Sequence, residues 1–165
     1  MRYDFADKMV HLPFGTVKFG NEIMATRTGN IILLEDVLEK TIKKAGEEIK
    51  KRKTKGDAEK VGVGAVKYII LKNEPSSDVN FSWETALNFE GNTGPYLQYT
   101  YARCQSVLRK ADEQNIKYSD SKYQIIDKEK EILKMLYNFP DVINEAAEEY
   151  NPGTIANYVY YLTKE

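Results

Sequence analysis

The strongest constraint on the fold lies in residues 89–111, where helix-breaking residues are followed at once by a long amphipathic pattern. Residues 91–94 read Gly-Asn-Thr-Gly, and this run stops any helix that arrives from Trp83. Pro95 suits the first position of a new helix, because its fixed φ is already helical and its missing N–H would have no partner there. We therefore expect a turn and then a helix that continues through Ala111.

This helix has two different faces. Apolar residues recur at steps of four, three, four and three, which places them on one side of the helix and predicts that this side faces a core. They are Leu97, Tyr101, Cys104, Leu108 and Ala111. The other side carries two rows of polar, aromatic and cationic residues. These rows are Tyr99, Arg103, Ser106 and Lys110, with Gln98, Ala102, Gln105 and Arg109 beside them.

The polar face has two interpretations. It is a solvated surface whose cations complement the helix dipole, or it is a surface for nucleic acid, because aromatic rings beside cations can stack on unpaired bases. For the second interpretation we select Gln98, Tyr99, Arg103 and Lys110, while Tyr101 is expected in the core.

Charge and composition limit the partners. The chain has 165 residues, 42% of them hydrophobic, which suits one ordinary domain or two small ones. Twenty-four Lys and Arg stand against twenty-five Asp and Glu, so no global field draws the chain to RNA. Any RNA affinity must come from a local patch, and Lys50-Lys51-Arg52-Lys53 with Lys55 is one, although such a run is often only a solvated helix end.

Cysteine and histidine are too scarce for most catalytic or metal chemistry. Cys104 is the single cysteine, so it is expected to be a small buried hydrophobe, and His11 is the single histidine. We expect no metal site and no catalytic residue in this chain. The sequence has neither a run approaching the ~18 apolar residues of a membrane span nor a signal-peptide pattern, so we expect a cytoplasmic protein.

The remaining patterns predict a mainly α fold, a helical bundle preceded by a small β hairpin or loop element. The hairpin pairs residues 16–19 with 22–24. A long helix starts at Glu35, and a second follows an Asp57 N-cap, with Gly62 and Gly64 marking close backbone approaches. A loop at 73–80, a short helix from Trp83, the helix after Pro95, two helices divided at Pro140 and a last helix from 151–152 complete the chain.

The amino-acid sequences of four segments resemble those of arginyl-tRNA synthetases, which are class I enzymes. The first is FEGNTGPYLQYTYAR at residues 89–103, similar to the passage from the catalytic half into the helical anticodon-binding domain. HLPFG at 11–15, GNIILLEDVL at 29–38 and GVGAVKY at 62–68 continue the likeness in order. The resemblance implies that residues 1–34 end the catalytic domain, 35–90 form connecting helices and 91–165 begin a helical domain of the class I synthetase anticodon-binding type.

The same resemblance implies an ATP-binding loop formed by Met24, Ala25, Thr26 and Arg27. The family's loop is related to Lys-Met-Ser-Lys-Ser and is commonly Lys-Met-Ser-Thr-Arg-Lys-Gly-Asn in arginyl enzymes. Such a loop stabilises the pyrophosphate that leaves ATP by directing cations and N–H donors at developing charge. This sequence departs from the pattern at Ile23, Ala25 and Thr28, and Arg27 is the cation that remains.

The implied function is that of a fragment of an arginyl-tRNA synthetase, which attaches arginine to its tRNA using ATP, with Mg as part of the substrate complex. With His11 alone, the chain does not contain the family's His-Ile-Gly-His-like signature, and we expect it to be inactive and to hold no cofactor by itself. Its partners would be the arginine-accepting tRNA and the remainder of the synthetase, with no DNA and no membrane.

Two alternatives remain open at this point. The chain is a free-standing helical RNA-binding module without catalytic activity, or it is a purely structural helical bundle. A nucleotide-binding half encoded upstream of Met1 would favour the enzyme, whereas a true start at Met1 would favour the module.

Overall fold

The computed structural model describes residues 3–19, 32–116 and 124–165. After a short 3-10 helix at Ala6–Lys8 the described chain forms two strands and six α-helices. They are β1 (Val17–Phe19), α1 (Leu34–Lys51), α2 (Ala58–Leu71), β2 (Val79–Phe81), α3 (Trp83–Ala86), α4 (Gly94–Glu113), α5 (Asp127–Glu148) and α6 (Pro152–Leu162). The mainly α prediction is confirmed. None of the described helices is both long enough and apolar enough to cross a membrane.

The helices α1 and α2 pair closely and form one wall of the core. The Asp57 side chain accepts hydrogen bonds from the N–H groups of Glu59 and Lys60, which confirms the predicted N-cap. Gly62 is buried against α1, where a Cβ would lie 2.8 Å from the Cα of Ile42. The close approach inferred at Gly62 is therefore confirmed, and it allows the two helices to touch backbone to backbone.

A two-stranded parallel sheet lies beside this pair. Val17 aligns with Val79 and Phe19 with Phe81, and the rings of Phe19 and Phe81 pack against Trp83 at the start of α3. The strand at 17–19 was predicted, while residues 22–24, its expected hairpin partner, lie outside the described residues. The assignment of residues 79–80 to a loop was wrong, because they belong to β2. The strand was missed because only three residues alternate between buried and exposed, which is too short a pattern to indicate a strand.

Asp78 joins the two strands through polar contacts. Its carboxylate accepts a hydrogen bond of 2.8 Å from the Thr16 N–H and pairs with Lys18 Nζ at 2.6 Å. The hydrogen bond from Lys18 is the main reason that the pKa of the Asp78 carboxyl lies below its usual value, and the hydrogen bond from Thr16 lowers it further. The core beside the sheet is made by Val37, Ala65, Val66, Ile69, Phe81 and Ala86.

The turn at 91–94 has the geometry that its residues favour. Gly91 has a φ of +81°, which lies in the left-handed region that glycine adopts without strain. The Thr93 hydroxyl caps α4 by accepting from the Tyr96 N–H at 3.3 Å, and Pro95 lies in the first turn of the helix. At Gly94 a Cβ would lie 2.8 Å from the carbonyl oxygen of Gly64, so α4 starts in direct backbone contact with α2.

Asn92 connects this turn to two helices that are distant in sequence. Its Oδ1 is hydrogen-bonded by the Tyr68 hydroxyl of α2, which also lies 3.0 Å from the carbonyl oxygen of Ala156. The Asn92 amide donates to Asn157 Oδ1 at 3.0 Å, and the Asn157 amide donates to the Lys72 carbonyl at 3.0 Å. Lys72 Nζ in turn donates to the Asn92 carbonyl at 2.9 Å. The end of α2, the turn and α6 are thus held by one hydrogen-bond network.

Partial burial changes the ionisation of two members of this network. Removal from water raises the pKa of the Tyr68 hydroxyl to about 12, with a smaller contribution from Tyr160. The same desolvation lowers the pKa of the Lys72 ammonium. The Tyr68 hydroxyl is therefore neutral at neutral pH and available as a hydrogen-bond donor.

The predicted division of the later chain into two helices at Pro140 was wrong. Residues 127–148 form one helix with Pro140 inside it, although an internal proline costs about 3 kcal/mol. The helix packs against α6 next to the proline, where the Tyr158 hydroxyl donates to the Met135 carbonyl at 2.6 Å and the Tyr158 ring stacks on Phe139. These contacts lie on the N-terminal side of the proline, within the segment up to Phe139 that the sequence pattern predicts as a separate helix.

The expected apolar seam of α4 does not face a core along its whole length. Within the described chain, Cys104 is exposed, and Tyr101 and Leu108 are 67% and 48% exposed. The expectation that Cys104 and Tyr101 are buried is therefore wrong. The reason is that α4 meets α2 near Gly94 and Gln98, in its first two turns, and then extends beyond the core.

Substitution at two glycines tests the contact between α1 and α2. Gly62→Ala places a Cβ against the backbone of Ile42, so we expect the free energy of unfolding to fall by about 1–3 kcal/mol. Gly46→Ala is the matched control, because its Cβ would meet only the Ala58 Cβ at 3.5 Å, and we expect stability to rise by up to about 1 kcal/mol. Urea unfolding measures both, and a Gly62→Ala variant as stable as the parent would refute this packing.

Candidate nucleic-acid interface

The four residues selected on α4 have different environments. Tyr99 is 49% exposed, and the guanidinium of Arg103 lies over its ring at 5.6 Å from the ring centre. Arg103 and Lys110 are both exposed, and Lys110 lies about 10 Å further along the helix axis. Tyr99, Arg103 and Lys110 therefore offer one aromatic ring and two cations to solvent on a single helical surface.

Gln98 is held against α2 instead. Its amide Nε2 donates to the Lys60 carbonyl at 3.0 Å, and the space it occupies exists because residue 64 is glycine, where a Cβ would lie 2.5 Å from Nε2. Its Oε1 is buried and has no hydrogen-bond partner among the described residues. The geometry gives Gln98 a part in fixing α4 on α2.

A groove of about 820 Å³ runs between the first turns of α4 and the connection from α1 to α2. Its α4 wall includes Tyr96, Tyr99 and Ala102, and Phe89 lies in its lining as well. Across the groove lie Arg52 and residues 54–56, including Lys55, from the end of α1 and the following loop. The basic run and the aromatic surface of α4, which the sequence offered as separate candidates, thus border one groove.

The cations at the end of α1 are only partly neutralised. Arg52 Nε donates to Glu48 Oε1 at 2.8 Å, and this hydrogen bond is the main reason that the pKa of the Glu48 carboxyl is lowered. The Arg52 guanidinium also lies 4.4 Å from the centre of the Phe89 ring. In the part of the chain that the structure describes, Lys53 and Lys55 lie within 4.0 Å of no carboxylate, so their charge faces solvent.

The remaining candidate residues divide into two groups. Met24, Ala25, Thr26 and Arg27 of the signature-like loop lie outside the described residues. His11 is exposed, and no group of three or more His, Cys, Asp or Glu side chains suited to a metal ion occurs among residues 3–19, 32–116 and 124–165. The sequence-based selection missed Phe89 and Ala102 as groove residues, because their proximity to residues 52–56 depends on tertiary packing.

Two family models match consecutive parts of the chain. The model described as the catalytic domain of class I (R) tRNA synthetases matches residues 1–83, half of the chain, and the DALR anticodon-binding domain model matches residues 97–165. The turn at 91–94 therefore lies between the two matched ranges, and its hydrogen bonds join residues of both. The chain belongs to the class I tRNA synthetases and, within that class, to the arginyl family.

Individual relatives agree with this membership. Arginine–tRNA ligases of Latilactobacillus sakei and Clostridium botulinum are 41% and 40% identical to the chain over 169 residues, which is 99% of this chain and 30% of each relative. The solved arginyl-tRNA synthetase of Thermus thermophilus superposes with a TM-score of 0.79 at 30% identity, over 92% of this chain and 25% of that one. The Plasmodium falciparum structure, with a TM-score of 0.69 at 24% identity, has the same fold.

The comparisons also favour the synthetase interpretation of the sequence. The chain spans about a third of the length of these curated relatives. The free-standing module is not favoured, because residues 1–83 match a synthetase catalytic-domain model rather than an unrelated sequence. The resemblance to arginyl-tRNA synthetases is confirmed.

Proposed function

We propose that this chain is a working part of an ATP-dependent, AMP-forming arginine–tRNA ligase. The observation that supports this most strongly is similarity to arginine–tRNA ligases over 99% of the chain, with the catalytic and anticodon-binding models in consecutive order. The substrates of the complete enzyme would be arginine, ATP as its Mg complex, and tRNA. A cytoplasmic location belongs to the same proposal, and the lone cysteine, which has no disulfide partner in the chain, suits a reducing compartment.

The proposed division of labour follows the chain. Residues 1–34 complete the catalytic domain, residues 35–90 connect it to the helical part, and residues 91–165 begin the anticodon-binding domain. The division at residue 90 lies in the interval between the matched ranges 1–83 and 97–165. The Asn92 network spans this interval by hydrogen bonds, so it would hold the two parts in a fixed relation.

We assign tRNA contact to the outer surface of α4. Arg103 and Lys110 are exposed cations suited to phosphate, and Tyr99 presents an exposed ring suited to a base. Gln98 would contribute indirectly by fixing the helix on α2. In the signature-like loop, Arg27 would contact the phosphates of ATP, with Met24, Ala25 and Thr26 around it.

A chimeric enzyme tests the function directly. Replacing the matching segment of the Latilactobacillus sakei ligase with this chain should preserve ATP-dependent charging of tRNA with arginine, because the two segments are 41% identical over nearly the whole chain. The 165-residue chain alone, assayed with tRNA present, is the control and should show no charging and no arginine-dependent exchange of pyrophosphate with ATP. A folded chimera that binds ATP and tRNA but transfers no arginine would contradict the proposal.

The altered loop allows a gain-of-function test in the same chimera. Ile23→Lys and Thr28→Lys each add a cation where pyrophosphate departs, so we expect faster adenylate formation. The gain per cation should stay below the roughly 100-fold that one well-placed transition-state donor contributes. Pre-steady-state adenylate formation and arginine affinity are measured together. If neither quantity changes in either variant, the assignment of ATP contact to this loop fails.

Salt-dependent titration of the 165-residue chain separates the two types of contact on α4. Arg103→Ala and Lys110→Ala should each weaken tRNA binding and reduce the slope of log affinity against log salt by somewhat under one unit. Tyr99→Ala should cost about 1–3 kcal/mol of binding free energy with little change of slope. Thermal melts run beside the titrations identify unfolding. If both cation variants have the same salt slope and the same melting temperature as the parent chain, this surface is not part of the tRNA interface.

A further inference from the structure

The groove between α4 and the basic end of α1 is deep enough to enclose part of a ligand. Its volume of about 820 Å³ is within the roughly 300–1,000 Å³ that small-molecule pockets occupy. The wall formed by Tyr99 and Ala102 belongs to α4, whereas Arg52 and residues 54–56 come from a segment more than forty positions earlier. The recess therefore exists only because α1, α2 and α4 pack together.

We infer that this groove receives one unpaired nucleotide of a bound RNA, with its base against the aromatic wall and its phosphate toward Lys55. This inference rests on the proposed function that α4 binds tRNA, and it adds the chemical form of RNA that the site takes. A base-paired nucleotide keeps its flat faces inside the stack, so a recess beside Tyr99 suits a base that is already unstacked.

The distribution of charge supports a nucleotide over other occupants. Lys55 lies in the lining and Lys53 beside it, and both carry charge that no described carboxylate neutralises. On the α4 side, Arg103 is outside the lining but lies over the ring of Tyr99, which is part of it. An aromatic recess between two sets of cations is complementary to a flat base joined to phosphates on either side.

The position of the single carboxylate in the lining, that of Glu90, is consistent with this orientation of the nucleotide. Glu90 is exposed and lies near the Phe89 end of the groove. A carboxylate repels phosphate but accepts hydrogen bonds from the exocyclic amino groups of bases. We therefore place the base edge toward Glu90 and the sugar-phosphate toward Lys55.

Filling the recess without changing charge tests the inference. Ala102→Phe puts a ring into the groove, and Gln105→Phe puts the same ring on the next turn of α4, outside the lining. The probes are a fluorescein-labelled single-stranded RNA of about ten nucleotides and an RNA duplex of the same sequence, since single-strand sites span roughly 4–16 nucleotides. Titration of the 165-residue chain with each probe, and a thermal melt of each variant, complete the experiment.

The inference predicts that Ala102→Phe weakens single-strand binding roughly 5- to 150-fold, the equivalent of one lost stacked base. Gln105→Phe should bind the single strand like the parent, and the duplex should not distinguish the two variants. Lys55→Ala should lower the salt slope for the single strand. Equal affinities of Ala102→Phe and Gln105→Phe for the single strand, or an equal loss on the duplex, would overturn the inference.

The experiments distinguish an error in the nucleotide-site inference from an error in the proposed function. If Arg103→Ala and Lys110→Ala weaken tRNA binding while Ala102→Phe has no effect on either RNA, tRNA docking on α4 stands and the groove is not a nucleotide site. If the chain binds no RNA and self-associates in a manner that Ala102→Phe abolishes, the groove belongs to a second copy of the chain, and the inference is overturned.

Discussion

The side chain of Asn92 makes the hydrogen bonds on which the arrangement of the later helices depends. It accepts a hydrogen bond from the Tyr68 hydroxyl of α2 and itself donates to Asn157 of α6, while Lys72 donates to the main-chain carbonyl oxygen of the same residue. An amide is suited to this position because it offers a donor and an acceptor from one planar group. Partial burial at Tyr68 and Lys72 increases the cost of leaving any of these groups without a partner.

The neighbouring residues of the turn explain how α4 comes to present a binding surface. Gly91 supplies the left-handed conformation, Thr93 caps the helix, and Gly94 lets its first turn touch the backbone at Gly64. Among the described residues, the close contacts of α4 with α2 lie in its first two turns, and further along the helix Tyr101, Cys104 and Leu108 are exposed. Close contact at its start also brings Tyr99 opposite Lys55, which creates the groove.

The sequence was most informative where local chemistry decides the structure. Helix starts at Asp57 and Pro95 and the close packing at Gly62 follow from capping, fixed φ and missing side chains, so they were predicted correctly. Burial of Tyr101 and Cys104 was predicted wrongly, because helical periodicity shows that a side is apolar but not whether another element covers it. The continuous helix across Pro140, which packs against Tyr158 of α6, likewise was not indicated by the local pattern.

For the candidate site the same distinction holds. Tyr99 and the basic run were found from residue type and spacing, yet the position of Tyr99, Arg52 and Lys55 at one groove requires the packing of α1 on α2 and of α2 on α4. Phe89 was not selected as a site residue from the sequence, since its position beside Arg52 depends on tertiary packing. Polar residues 91–94 read locally as a turn, and their role as a connection between α2 and α6 became apparent only in the fold.

Amide chemical-shift mapping of the isotopically labelled chain with an arginine-accepting tRNA tests the central claim most directly. That claim is that the turn at 91–94 holds α4 so that its outer surface and the end of α1 form a single RNA interface. The account predicts that the largest shift changes fall in residues 52–56 and 98–110, with little change on the exposed side of α5. Changes confined to α5 and α6, with residues 52–56 and 98–110 unaffected, would contradict it.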